Sequence, residues 1–529
     1  MNRLTSGRNV ALNFPIYLTV LYLVLSLVIY VLCPYDWPTQ RPILFYSLNA
    51  LYILALFFGY QVGIRREIRL KWIEWTDAKT YKLIQWVSVL TIVNFVVYLV
   101  YIFRSYGLNS FNFVELWEQM LVGLKQPGMG YYLNLVRQEE LDGSQVLGGT
   151  TYTLLNLFWA FFKNAVAILS ILYFKRLKLY GKIFAVAYFV LVVVFYMSIG
   201  TNIQIFHLYI ILELPAILSI FTAWYEKKVD RRRIIKFVAC LLGGLILVAA
   251  YFGWMMESRS DTYGYEIENH VVGGLQPNAE AEAEESVPSE PAENAVAEPE
   301  TVESVPPESS AEESAALESG TEESATPGPD TEESAAPESG VEENASEQSE
   351  QKGSPILQKL NNFWISFSSY LTQGYYGMSQ ALTLDWVPMY GAGNSMFLVN
   401  IISNNIYDID QFTYQTRLEP YGWDSDVNWH SMYTWIANDV SFYGVIPVMF
   451  LIGLLFGMMF KDAIVHGNPF AKASIFFFIL MMVFIPCNNQ VAQSNENLCA
   501  FLLLIVLWFL CGKTKVQKTG NSLNDGESV

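Results

Sequence analysis

Residues 43–71, ILFYSLNALYILALFFGYQVGIRREIRLK, set the reading of the whole chain. Twenty-one residues from Ile43 to Gly63 carry no charge and are long enough, as a helix, to cross about 30 Å of hydrocarbon. They end in Arg65, Arg66, Arg69 and Lys71, the basic flank expected of a loop held on the cytoplasmic side. The same alternation of apolar stretch and loop recurs along the 529 residues, with spans read near 14–33, 43–63, 83–103, 152–173, 183–200, 204–223, 234–254, 439–460, 472–486 and 497–511.

Basic residues gather in every second loop. Arg3 and Arg8 precede the first span; Lys175, Arg176, Lys178 and Lys182 follow the fourth; Lys227, Lys228, Arg231, Arg232 and Arg233 follow the sixth. Lys461 and Lys472 flank the eighth connector, and Lys513, Lys515 and Lys518 lie in the tail. The pattern predicts an all-α polytopic membrane protein of about ten transmembrane helices with both termini cytoplasmic. Its organisation is then 1–254 (seven spans with an outer loop at 104–151), a large outer loop at 255–438, spans eight to ten at 439–511, and a tail at 512–529. The first span lacks a small-residue cleavage site and reads as a retained signal anchor. Cys33, Cys240, Cys487, Cys499 and Cys511 have no paired metal spacing and predict no disulfide framework.

From 278 to 351 the composition turns to Glu, Ser, Ala and Pro without one aromatic or basic residue. A stretch so poor in apolar surface cannot offset chain entropy and is expected to be disordered. Its ten-residue repeat, visible at Ala311, Thr321, Thr331 and Val341, is too short for a solenoid. The insert carries 23 of the 50 acidic side chains, which leaves 27 against 32 bases elsewhere. The net charge of −18 is therefore a property of a spacer and not of the folded surface.

The outer loops outside the insert are built for a membrane surface. Phe113, Leu116, Trp117, Met120, Leu121 and Leu124 fall on one helical face, predicting an interfacial helix capped by Asn109 or Ser110 and ended by Pro127-Gly128. Trp364, Phe367, Leu371, Tyr375, Met378 and Leu382 repeat that spacing in the second loop, and packing of either helix against the bundle is the plainer alternative. Cations are scarce outside, so Arg104, Lys125, Arg137, Arg259 and Arg417 mark places for an anionic group, Arg being suited to phosphate by its planar fork. Arg41, Lys352 and Lys359 flank a short loop or the insert and say less. Tyr370, Tyr375, Tyr376, Tyr390, Trp423, Trp429 and Trp435 offer faces to sugar rings, although interfacial belts give the same composition.

The run Ser369-Tyr370-Leu371-Thr372-Gln373-Gly374-Tyr375-Tyr376-Gly377-Met378-Ser379, followed by Tyr390-Gly391-Ala392-Gly393-Asn394-Ser395, resembles the second large outer loop of Wzy-type oligosaccharide repeat-unit polymerases, the membrane enzymes of capsule, exopolysaccharide and O-antigen assembly. Trp429-His430-Ser431, the run from Trp435 to Ile446, and Ser198-Ile199-Gly200-Thr201-Asn202 carry the same resemblance. It implies a glycosyltransferase of the bacterial plasma membrane that moves a glycan from polyprenyl pyrophosphate to a hydroxyl of the next lipid-linked unit. The reaction would invert, with neither metal nor cofactor, and the partners implied are the lipid-linked oligosaccharide, the bilayer, a chain-length regulator and a flippase. No nucleic acid is expected. Such chemistry asks for cations at the departing pyrophosphate and a proton acceptor. His430 is the candidate base and Asp439 its rival; Tyr370, Gln373, Tyr375, Tyr376 and Trp429 are candidate glycan contacts. Thr201-Asn202 stands where relatives place an Arg after the glycine, which moves weight for the clamp to Arg137, Arg259 and Arg417.

Other readings stay open. Asp408-x-Asp410 and Asp424-x-Asp426 have the spacing of a nucleotide-sugar metal site, but acidic pairs also close turns. Lys163 and Glu213 lie within spans, where an ion pair between them is expected. A lipid-linked saccharide flippase or exporter, a polysaccharide ligase and a noncatalytic receptor are the alternative functions.

Overall fold

The computed structural model describes residues 2–34, 37–66, 73–139, 149–263, 355–424 and 428–512. The acidic insert, Arg69, Lys71, His270, Lys352, Asp426 and the basic tail lie outside them. The helices of ten residues or more are α1 (Asn2–Leu32), α2 (Pro42–Gly63), α3 (Asp77–Ser105), α4 (Phe113–Lys125), α5 (Pro127–Glu139), α6 (Gly149–Leu172), α7 (Leu179–Ser198), α8 (Ile203–Tyr225), α9 (Arg231–Tyr263), α10 (Pro355–Ala381), α11 (Met396–Asn405), α12 (Met432–Lys461), α13 (Pro469–Phe484) and α14 (Asn495–Leu510). Eight of these, α1 to α3, α6 to α9 and α12, are long and apolar enough to cross a membrane; α13 and α14 are apolar but shorter.

Close approach of α2 and α12 forms the centre of the bundle. Gly59 and Gly63, one turn apart, lie against the carbonyls of Phe450 and Leu454, while Gly453 and Gly457 lie against those of Leu56 and Tyr60. In hydrocarbon, where no hydrophobic effect drives helices together, small residues at this spacing let backbones meet and gain dispersion. Tyr52 and Tyr60 then find acceptors across helices, at Phe442 O (2.6 Å) and Leu12 O (2.6 Å).

The basic connectors collect at one end. Arg8 sits 5.4 Å over the ring of Tyr225, Asn468 Nδ2 donates to Cys511 O (3.2 Å), and Ile73-Glu74, after α2, pairs in parallel with Cys511-Gly512, after α14. With their ends fixed there, the 16 residues of α13 and of α14 rise only about 24 Å, short of the ~30 Å a span needs. The connector 485–494 therefore lies below the opposite surface, as a recessed floor. Lys163, well inside α6, reaches that floor: it pairs with Glu496 in the first turn of α14 at 2.5 Å. The partner expected for Lys163 was Glu213; the floor supplies a carboxylate that a list of span-embedded residues omits, because Glu496 lies at a helix start.

Two further expectations are corrected at the opposite end. The cap of α4 is Asn112, whose Oδ1 accepts from Val114 N and Glu115 N (3.2 and 3.3 Å), not Asn109 or Ser110. The end of α4 falls where Pro127-Gly128 predicts it, at Lys125, and Pro127 then opens α5, where its missing N–H costs nothing. Leu116, Met120 and Gly123 of α4 are buried, and Phe113 and Trp117 stay exposed. The second amphipathic stretch is not a surface helix throughout: all of 372–381, polar residues included, is buried against α1, α2 and α12 at their ends away from the basic connectors.

Candidate functional site

The end opposite the basic connectors is assembled in part around one backbone turn. The turn after α7 carries Gly200 in the left-handed region (φ 60°), pressed against Pro127 O. Gly123 and Gly130 press from the α4–α5 hairpin onto Ser198 O, so that hairpin is seated through glycines on the Ser198–Gly200 turn. Tyr106 adds a hydroxyl bond to Ser198 Oγ (2.6 Å).

Two arginines are fixed by this seating. Arg137, on the last turn of α5, stacks over Tyr106 at 4.3 Å and donates from Nε to Leu133 O (2.8 Å), and its buried Nη1 has no partner. Burial pulls its pKa below the ordinary arginine value, although the facing Tyr106 hydroxyl opposes the shift. Arg259, beyond the apolar part of α9, donates from Nη2 to Gly200 O (2.5 Å) and lies 3.6 Å over the ring of Tyr131, with a buried Nε that has no partner. The neighbouring Ser258 Oγ accepts from Gly128 N (2.9 Å), so α9 is tied to the hairpin as well as to the turn.

From Arg259 an aromatic row crosses to α10 and the segment before α12. Tyr370 of α10 meets Phe252 edge-on (5.5 Å) and Trp429 edge-on (5.2 Å). Burial raises its pKa and the Arg259 charge opposes the rise. Gln373 Oε1 accepts from Trp429 N (3.1 Å). Arg259, Tyr131, Tyr370, Trp429 and Gln373 thus form one set drawn from four chain segments far apart in sequence.

Beneath Trp429 the loop is pinned to the recessed floor. Ser431 N donates to Gly374 O (3.1 Å), and Met432 N to Ile485 O (3.0 Å). A side chain at Gly374 would collide with Pro486 O. His430 is 2% exposed, and neither ring nitrogen has a hydrogen-bond partner. Trp423 Nε1 and Trp435 Nε1 are likewise buried without a partner. Gly377 leaves the space between: a Cβ there would stand 2.6 Å from Trp423 Nε1 and 3.3 Å from His430 Nδ1. Burial holds the His430 pKa at about 3, so the ring is neutral at physiological pH.

Asp439 is held by backbone donors. Its Oδ1 accepts from Gly391 N (2.8 Å) and Gly393 N (2.9 Å), and its Oδ2 from Asn394 N (3.0 Å). Three backbone donors fix the 390–394 loop, on which Tyr390 stands 90% exposed. Asn438, which the sequence did not mark, is the hub beside it. Its amide donates to Gly393 O and Gln415 Oε1 (both 2.9 Å) and accepts from Tyr414 N (2.9 Å), while its carbonyl takes Trp386 Nε1 (3.1 Å) and Met389 N (3.2 Å). That carbonyl is open to loop donors because α12 breaks at Ser441, held at φ 61° and ψ 167°. A non-glycine residue in that region carries strain of roughly 1–3 kcal/mol, offset here by the loop bonds the break releases.

The remaining candidates fall outside the row. Arg417 donates to Asp385 O (2.7 Å) and sits 5.9 Å from the Tyr414 ring, a separate cluster. Lys125 is exposed at the end of α4, and Arg104 is half-buried in the last turn of α3. Tyr375 is buried with its hydroxyl on Ser26 Oγ (2.9 Å); Tyr376 stacks on Trp37 (4.8 Å) and meets Trp423 edge-on (4.9 Å). Both tyrosines pack the bundle and present no face to a ligand. Asp408 Oδ1 accepts from Asp410 N (3.1 Å), and Asp410 Oδ2 from Thr416 Oγ1 (3.1 Å), the bonds of a capped turn. Among the described residues no three His, Cys, Asp or Glu side chains converge as for a metal ion.

Comparison of the chain with protein-family models, with curated proteins and with solved structures returns no match.

Proposed function

We propose that the protein is a membrane glycosyltransferase of the repeat-unit polymerase type, acting on polyprenyl-pyrophosphate-linked oligosaccharide at the end opposite its basic connectors, which the charge pattern assigns to the outer face. The observation that carries this reading is the row from Arg259 through Tyr131 and Tyr370 to Trp429. It joins an arginine with donors to spare to aromatic edges at the head of a membrane bundle, above a floor recessed in the bilayer. A phosphate on Arg259 would place its prenyl chain along the bundle and its first sugars against Tyr370 and Trp429.

In the reaction the acceptor hydroxyl oxygen attacks the anomeric carbon, and the bond from that carbon to the pyrophosphate oxygen breaks. The pyrophosphate leaves with the bonding pair. Arg259, with Arg137 behind the same hairpin, stabilises the charge that grows on it, the kind of fixed-donor effect worth about 10²–10³ in rate per donor. His430 is buried and unsuited to keeping the proton of the acceptor hydroxyl. Holding a proton at pH 7 on a group of pKa about 3 costs ~5 kcal/mol. The proton passes instead to the departing pyrophosphate, whose last ionisation lies near pH ~6. Asp439 positions the 390–394 loop and takes no proton.

The test is purified full-length protein in nanodiscs supplied with lipid-linked repeat units. A ladder of chain lengths supports polymerisation. A single coupled product would replace it with ligation, and transbilayer movement without any new glycosidic bond would refute glycosyl transfer.

A further inference from the structure

The basic end carries a feature that the proposed chemistry does not use. Helices α8 and α9 are bound to each other where Tyr209 Oη donates to Leu241 O (2.6 Å) and the Tyr209 ring covers Gly244. Toward the basic end they part, and two adjoining cavities open, of ≈ 360 and ≈ 250 Å³, sharing Ser219, Ala223 and Arg233 in their walls. The smaller is apolar, closed by Ile220 and Phe237 with Lys236 at its edge. The larger is closed by Lys472, on α13, and by Lys228.

Charge is unbalanced there. Lys228 pairs with Glu226 (2.9 Å), but among the described residues no carboxylate pairs with Arg233, Lys236 or Lys472. Arg176 adds its field to that of Lys472. The α9 span has no buried residues in its most apolar stretch, so none of the described residues fills the gap. An apolar slot at membrane depth that opens on unpaired cations at the headgroup level has the form of a lipid site, and basic pockets between transmembrane helices recognise anionic headgroups.

We infer that the α8–α9 cleft binds one anionic phospholipid, its phosphate between Arg233 and Lys472 and an acyl chain along Ile220 and Phe237. The lipid covers surface that would otherwise be a void and fixes the stance of α9, the helix that carries Arg259 at its other end. The inference rests on the chain being embedded in a bilayer and is independent of the reaction proposed above.

The experiment is native mass spectrometry of the full-length protein released from mixed micelles of phosphatidylcholine and phosphatidylglycerol. One phosphatidylglycerol should be retained in preference to phosphatidylcholine. The double variant Arg233→Gln/Lys472→Gln should lower that retention roughly 30-fold, the loss of two cations acting on one phosphate. Ala223→Trp, which fills the cleft and leaves every charge in place, should abolish it. Arg65→Gln/Arg66→Gln, whose residues line neither cavity, should leave it unchanged. Equal retention in the charge variant, or an equal drop in the Arg65/Arg66 control, would overturn the site, the second by showing diffuse surface attraction only. Melting in phosphatidylcholine alone identifies a variant that fails to fold, and Ala223→Trp, with its charges intact, then decides.

Discussion

Replacing Arg259 by Lys separates what this residue does for the fold from what it would do for the proposed reaction. The native side chain makes a charge-assisted bond to Gly200 O (2.5 Å) and a close stack on Tyr131 (3.6 Å). A lysine keeps the positive charge and one donor for the Gly200 carbonyl but loses the planar fork. The structural loss is then mainly the stacking term, about 1–2 kcal/mol in a desolvated setting. Loss of a second donor to the developing pyrophosphate charge should cost a further ~2.7–4 kcal/mol in the transition state, or 10²–10³ in turnover. Arg259→Met should lose both, with the hydrogen bond to Gly200 adding ~1.5–3 kcal/mol to the instability. Melting in nanodiscs measures the first quantity, and single-turnover transfer from lipid-linked repeat units the second. A Lys variant that melts a few degrees low yet transfers glycan at the native rate would remove Arg259 from the reaction. The arginine would then be only the pin that seats α9 on the Gly200 turn.

Three other perturbations test the architecture around it. Gly453→Leu drives a side chain into the backbone of α2 around Leu56 and Tyr60; the cost should reach or pass the ~1–3 kcal/mol usual for overpacking, read as a fall in melting temperature, and an unchanged melt would deny the close α2–α12 approach. Lys163→Ala strands Glu496 in a nearly dry site and should destabilise by ~3–5 kcal/mol; adding Glu496→Gln should restore much of this, and strictly additive losses in the double mutant would argue that the two side chains do not pair. His430 sets a pH dependence. Its folded pKa of about 3 lies below the unfolded value of 6.5, so above 6.5 neither state binds the proton and stability is level. Between 6.5 and 3 only the unfolded chain is protonated, and stability falls as pH falls, by ~1.4 kcal/mol per unit. His430→Gln should flatten that slope in urea or thermal unfolding between pH 6.5 and 4.5; the same slope in both proteins would place His430 in contact with water.

Most of the bundle was legible because hydrocarbon imposes one rule on every span. Each backbone amide must bond within its own segment, so length and apolarity announce a helix wherever they occur together. Loop charge follows the same physics, and the basic connectors gather at one end as the alternation of Arg and Lys requires. The α2–α12 contact was also written in the sequence, as Gly59/Gly63 and Gly453/Gly457 at one-turn spacing. Periodicity of apolar residues does not detect it, because a glycine stripe is an absence of side chains. The shortness of α13 and α14 was visible too, but its consequence was not: the connector between two 16-residue helices becomes a recessed floor only once the other ends of both are located in space.

The site divides along another line. Arg259, Tyr370, Gln373 and Trp429 could be chosen from sequence because a lone cation or an aromatic run outside a membrane is locally conspicuous, and they meet in one row. Arg417, Tyr375 and Tyr376 look the same locally and are placed elsewhere, since composition near a membrane does not say which face of a helix turns toward the bundle. Asp439 shows the limit most clearly. A carboxylate at the mouth of a span reads as an acid or a base, yet the chain spends all three of its bonds on the amides of Gly391, Gly393 and Asn394. What decides is the break at Ser441: once α12 leaves helical geometry there, the carbonyl of Asn438 and the carboxylate of Asp439 become the anchors of the 386–394 loop. Asp439→Asn, which replaces two acceptor oxygens by one, should therefore loosen that loop and raise the KM for glycan through Tyr390 without shifting the pH profile of kcat. A new inflection in kcat against pH in this variant would return Asp439 to proton transfer and leave the loop's anchoring as a secondary effect.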